Sequence, residues 1–128
     1  VQGDGAGALI EGEVAGHDPR YQLLEVEFRG GRFQLPGKPL PPGQRVRLRI
    51  QARDVSLALE KRSASSIVNI LPARVVDLRA DGLGQTMVGL ALGESRILCR
   101  VTRKSAEALG LQPGKVLFAQ IKGVAIVE

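Results

Sequence analysis

The sequence predicts an all-β chain folded as two tandem small barrels, the second carrying one short helix. Three observations point there. Short runs alternating apolar and polar residues recur about every 8 to 12 positions between Gly, Pro and Asp turns, a spacing typical of small barrels rather than of a parallel sheet. The pattern restarts beyond residue 66, and only residues 102–114, TRKSAEALGLQPG, read as a helix. With 128 residues and 44% apolar content, the chain can fill the core of one ordinary domain or two very small ones.

The elements follow in order. Residues 9–15 alternate and stop at Gly16-His17-Asp18-Pro19, residues 22–28 stop at Gly30-Gly31, and residues 33–35 stop at Pro36-Gly37. His17 sits beside Asp18-Pro19 and reads as an exposed loop residue. Residues 45–59 read as one long strand, bent near Arg53-Asp54. After the polar stretch 60–66 come strands at 70–78, 85–92 and 96–101, with turns at Ala80-Asp81-Gly82 and Gly93-Glu94. The helix and a closing strand over 116–127 complete the chain.

The restart behaves as an internal repeat. Laying Pro42-Gly43 on Pro113-Gly114, a shift of 71, pairs Val46 with Leu117, Leu48 with Ala119 and Ile50 with Ile121. A shift of 61 at the front pairs Ile10 with Leu71 and Val14 with Val75. The second unit therefore carries about ten extra residues, and the helix accounts for part of them, because the matching stretch PGKPLPP is too proline-rich for a helix. The expected units are residues 1–62 and 63–128.

Composition narrows the function. The net charge is +5 and the pI near 10.0, with basic residues concentrated between Arg29 and Arg53. In Val46-Arg47-Leu48-Arg49-Ile50 the period of two sends the apolar residues inward and Arg45, Arg47 and Arg49 to one wet face. That stripe could follow phosphates, yet the aromatics are only Tyr21, Phe28, Phe33 and Phe118, none within the stripe, so nucleic acid is not the expected partner. No apolar run nears the roughly 18 residues that span a bilayer, and no signal pattern opens the chain, so no direct membrane insertion is expected. The Gly-rich opening from Val1, without an initiator Met, suggests a piece of a longer protein. The lone Cys99 allows no internal disulfide and no cysteine cluster, which leans toward a reducing cytoplasm.

The helix has two readings. Thr102 is a good N-cap, Ala106 to Leu109 favour helix, and Gly110 can end it in the left-handed conformation, which explains the segment without any ligand. A helix start also offers unpaired N–H groups, and Thr102 and Ser105 would add two hydroxyls on its first turn, a donor set suited to a small tetrahedral oxyanion.

At this point the run VTRKSAEALGLQPGKVLFAQIKG closely resembles the second half of the Mop domain, a small molybdate-binding module. SSIVNILPARV resembles the opening of that module, and LPGKPLPPGQRVRLRIQARDVSLAL looks like the tandem Mop, or TOBE, region of the ATP-binding subunit of molybdate ABC importers. The resemblance implies two tandem OB-like barrels, a homodimer, and molybdate or tungstate bound where barrels meet. It also implies an upstream ABC ATPase domain, a membrane permease subunit as partner, and a place in the cytoplasm at the inner face of the cell membrane.

Carried over residue by residue, Thr102 and Ser105 match the helix hydroxyls, Lys122 with Gly123 matches the lysine that gives the anion a positive partner, and Ser66 and Asn69 match the ends of the opening signature. Two positions depart from the pattern: the signature arginine is Val68, and the small polar residue after Lys122-Gly123 is Val124. Arg is the strongest directional donor for an oxyanion, and Arg53, in QARDVSL, can replace it across a barrel contact. Each residue also has a plain role: Thr102 and Ser105 as a cap, Lys122 as a solvated strand residue, Ser66 and Asn69 as linker-turn residues, and Arg53 as an ion pair with Asp54.

Catalysis finds no support in the residues. The phosphate-cradling Gly-x-x-x-x-Gly-Lys-Ser/Thr loop is missing, and one Cys and one His in separate turns assemble no nucleophile with its base. The residues therefore read as a binding module, and the resemblance implies one that regulates and dimerises an importer ATPase. A structural dimerisation module with a decayed anion site and an OB-like nucleic-acid binder are the alternatives.

Overall fold

A computed structural model describes residues 6–61 and 64–127, so the expected boundary between residues 62 and 63 and the Gly-rich start lie outside the described residues. Ten strands form two five-stranded antiparallel sheets. The first unit supplies β1 (Gly7–Asp18), β2 (Leu23–Phe28), β3 (Gly31–Pro36), β4 (Arg45–Gln51) and β5 (Val55–Ala58). The second supplies β6 (Asn69–Ala80), β7 (Gln85–Leu92), β8 (Ser95–Thr102), the helix α1 (Arg103–Ala108), β9 (Val116–Ile121) and β10 (Ala125–Val127). The fold is a pair of tandem OB-like barrels, the second with its one short helix.

The repeat is visible in individual bonds. Val14 N–H donates to Gln44 O and Val75 N–H to Lys115 O, both at 2.9 Å, while Gly43 and Gly114 return bonds of 2.8 Å to Val14 O and Val75 O. Both turn glycines have a left-handed φ, 90° and 94°, where a Cβ would be strained. A β-bulge follows Val14 in one unit and Val75 in the other, which bends each long strand into its barrel.

The closing strands are exchanged. Sheet A runs β10-β4-β1-β2-β3 and sheet B runs β5-β9-β6-β7-β8, so each unit ends in the other unit's sheet. This corrects the two long strands expected from sequence. Residues 45–59 break at a 3-10 turn over Ala52–Asp54, and residues 116–127 break between Ile121 and Ala125. The two crossings touch, with Lys122 N–H bonded to Asp54 O at 2.8 Å. One continuous core results, from Ile10, Leu24 and Phe33 through Leu48 and Val55 to Leu90 and Ile121.

The helix is shorter than its stretch suggested. It stops at Ala108 because Gly110 turns left-handed at φ 65° and Leu111 N–H reaches back to Ala106 O at 3.0 Å. His17 is another correction: it lies in β1, half-buried, with Nε2 2.9 Å from Gly37 O.

Cys99 is fully buried, 3.1 Å from Val55 O, and burial pushes its thiol up to about 12 from 9.0. A pKa raised on folding favours the folded state below the unfolded value and loses that contribution as pH climbs from about 9 toward 12. A thiol reagent at pH 8 should therefore leave Cys99 unmodified in the native chain and modify it in denaturant; rapid native labelling would show that the β5–β8 contact opens.

Candidate functional site

The sequence-derived residues fall into two groups. The first gathers where the strands cross. Asn69 and Val55 flank Ile121 from opposite sides, so β5, β9 and β6 bring Arg53, Lys122, Gly123 and Asn69 to one end of sheet B. Arg53 and Lys122 are exposed, and a Cβ on Gly123 would lie 3.0 Å from an Asp54 carboxylate oxygen, a close approach that a larger residue would meet only by shifting the Asp54 side chain. Among the described residues Arg53 makes no ion pair with Asp54. Ser66 is exposed just ahead of β6, beside Val68, which is 58% exposed where the signature carries arginine.

Asn69 is only 8% exposed, and both ends of its amide are engaged. Its Nδ2 donates to Gln34 O and its Oδ1 accepts from Gln34 N–H, each at 2.8 Å. The side chain thereby acts as a short piece of strand that extends β3 of sheet A, a brace between the barrels that adjacency in sequence gave no sign of.

The second group lies at the start of α1. Thr102 Oγ1 accepts the Ser105 N–H at 3.0 Å, a standard N-cap, and the two hydroxyl oxygens are themselves 3.0 Å apart. Both side chains are exposed and hydrogen-bonded to each other, with no acidic residue in the first turn. Among the described residues no hydrogen bond or ion pair joins this group to the first.

The basic stripe has a different surrounding from the one its sequence suggests. Arg45, Arg47 and Arg49 share the outer face of sheet A, but Glu13 and Glu11 stand directly across from Arg45 and Arg47 on β1. Opposite charges in cross-strand register stabilise the sheet and cancel the field a polyanion would follow. Among the described residues no three His, Cys, Asp or Glu side chains converge as a metal site, and no helix is long and apolar enough to cross a membrane.

Paired barrels with exchanged closing strands and one short capped helix are the architecture of a TOBE-type tandem module. A family model described as TOBE domain matches residues 65–127. The chain is 47% identical over 127 residues to the molybdenum import ATP-binding protein ModC of Albidiferax ferrireducens, which covers 99% of this chain and 34% of that protein. The Pseudomonas aeruginosa protein of the same name is 46% identical over 97% of this chain and 35% of its own length. The chain thus spans about a third of these relatives, in their C-terminal part. A solved structure described as the cytoplasmic molybdate-binding protein ModG, with molybdate bound, superposes with a TM-score of 0.77 at 25% identity, covering 94% of this chain and 95% of that one. The chain belongs to the family of TOBE, tandem-Mop regions of molybdate-importer ATP-binding subunits.

Proposed function

We propose that this chain binds molybdate or tungstate in the cytoplasm and regulates and dimerises the ATP-binding subunit of a molybdate importer, next to its membrane permease. The observation that carries this reading is the likeness, over nearly the whole chain, to a protein described as holding molybdate. On the chain itself, Thr102 and Ser105 supply adjacent hydroxyls, of which Thr102 donates to Ser105 and leaves the Ser105 O–H for a ligand, Lys122 an ammonium, and Gly123 a close main-chain approach. Arg53 and Ser66 are the remaining exposed donors, and Asn69, tied to Gln34, holds β6 in place. Because the donors form two groups in one chain, a complete oxyanion ring needs both brought together, and in this reading two barrels meeting in a homodimer do so. The pieces that rearrange are the two subunits, each built of units 1–62 and 63–128. An anion held between subunits favours the arrangement that binds it better, and thereby slows the attached ATPase when molybdate is plentiful.

A second reading, a structural dimerisation module without a working anion site, is favoured by exposed, apolar Val68. Calorimetric titration with molybdate, tungstate, sulfate and a short single-stranded oligonucleotide separates the readings. Heat with the first two alone supports regulation, heat with none leaves the structural role, and heat with the oligonucleotide alone replaces both. Ser105→Ala should weaken binding by roughly 1.5 to 3 kcal/mol with the fold intact, as for a lost bond to a charged partner. Thr102→Ala should in addition lose about 1 kcal/mol of stability with its cap. Lys122→Ala should weaken binding most at low salt. If all three variants bind like the parent, the anion sits elsewhere, and light scattering that finds only the 13.7 kDa species removes the interface site.

A further inference from the structure

The repeated fold provides an internal control for its own surface charge. On the outer face of sheet A, most arginines stand against glutamates: Arg45 opposite Glu13, Arg47 opposite Glu11, and Arg32 bonded to Glu25 and Glu27, while Arg49 faces Leu9 and Ala125. Sheet B has less of this compensation: only Arg100 is ion-paired there among the described residues. Its registers align Arg74, Ala91 and Arg96 in one row across β6, β7 and β8, and Arg79, Met87 and Arg100 in another. Arg100 is held by Asp81 at 3.0 Å. Arg74 and Arg79 make no ion pair among the described residues, and Arg96 reaches only the Ser95 carbonyl, at 3.5 Å.

Between the arginine rows the floor is low. Gly89 replaces a side chain where a Cβ would lie 3.3 Å from the Asp77 carboxyl carbon, and Met87 and Ala91 are buried. The result is a shallow cavity of about 250 Å³ with Arg79 on one wall, Arg96 on the other and Asp77 midway. Strands two apart are separated by about 10 Å, and the step from Arg96 to Arg100 along β8 is about 13 Å. The single Asp77 carboxylate between the rows answers only part of the charge of Arg74, Arg79 and Arg96, so the trough keeps a net positive field.

We propose that the outer face of sheet B is a docking surface for an extended acidic segment of another protein chain. Acidic residues four apart in an extended peptide are also about 13 Å apart, so each reaches one arginine row. Asp77, between the rows, then faces the peptide backbone and accepts an N–H. A nucleic-acid strand fits less well: the same carboxylate would meet a continuous line of phosphates, and β6, β7 and β8 contain no aromatic residue on which a base could stack.

The test is fluorescence anisotropy at low salt with a labelled peptide bearing glutamates four apart, Glu-Ser-Gly-Ser-Glu. A peptide with adjacent glutamates and a short single-stranded oligonucleotide serve as competitors. The spaced peptide should bind more tightly than either competitor. Arg79→Glu with Arg96→Glu should weaken it at least about tenfold, Arg49→Glu on sheet A should leave it unchanged, and excess molybdate should not displace it. Arg79→Gln with Arg96→Gln, checked by thermal melting, replaces the glutamate pair if that pair misfolds. The proposal is overturned if the peptide does not bind, if the sheet B variants match Arg49→Glu, or if the oligonucleotide binds more tightly. Displacement by molybdate would assign the arginines to the anion site instead.

Discussion

Gly30→Ala is expected to be the most damaging small substitution in the chain. The two-residue loops of the equivalent hairpins, Arg29-Gly30 and Gly93-Glu94, meet between the barrels, and Arg29 pairs with Glu94 at 2.8 Å. A methyl on Gly30 would overlap the Leu92 carbonyl oxygen and sit 2.7 Å from both the Leu92 carbonyl carbon and Phe28 Cε2. The obstacle is main chain from the other barrel, which no rotamer change can relieve. Removing glycine's unfolded-state freedom would stabilise by about 0.4 to 1 kcal/mol, whereas forced overlap in a packed contact typically costs about 1 to 3 kcal/mol, and an immovable main-chain obstacle puts this one at the upper end or beyond. The clash wins, and the melting temperature should fall by roughly 10 °C. Gly37→Ala is the control, because its nearest neighbour would be Leu24 Cβ at 3.9 Å. Equal melting of the two variants would mean that the hairpin tips do not meet as described.

Asn69→Ala should come next. It removes both 2.8 Å bonds to Gln34 and leaves a half-buried N–H and C=O without partners. With net bonds near 1 kcal/mol each and a further penalty for orphaned groups, the loss is about 2 to 4 kcal/mol. Asn69→Asp keeps the acceptor but turns a second acceptor toward Gln34 O, so it should cost at least as much at neutral pH. Hydrogen exchange at the Gln34 amide should accelerate in both variants. If Asn69→Ala keeps full stability and loses only anion binding, the residue is a ligand and not a brace.

Much of the fold was legible because alternation records which face of a strand is buried. Val46, Leu48 and Ile50 point inward as their spacing required, and Thr102 caps its helix as a hydroxyl in that position should. The repeat was legible because equal turns recur at Gly43 and Gly114. The break in residues 45–59 was readable only as a bend: Ala52–Asp54 holds no Gly or Pro, and the turn exists because the chain must cross residues 122–124 from the other unit.

The candidate site was less legible, since its parts are distant in sequence. Asn69 carries a site signature, but its partner Gln34 is 35 residues away in the other sheet. In the stripe Arg45-Arg47-Arg49, conspicuous in sequence, the first two arginines are answered by glutamates in space, whereas Arg74 and Arg79 on β6 and Arg96 on β8 are brought to one face by strand pairing. By itself the sequence determined where most strands lie, their inward faces, the doubled pattern and the helix cap, because each depends on side-chain period and local backbone preference within a few residues. Which sheet receives each closing strand, what braces the barrels and where charge is left uncompensated were decided only by the tertiary structure, because strand pairing and Coulomb interactions act across space between residues whose separation along the chain carries no record of their contact.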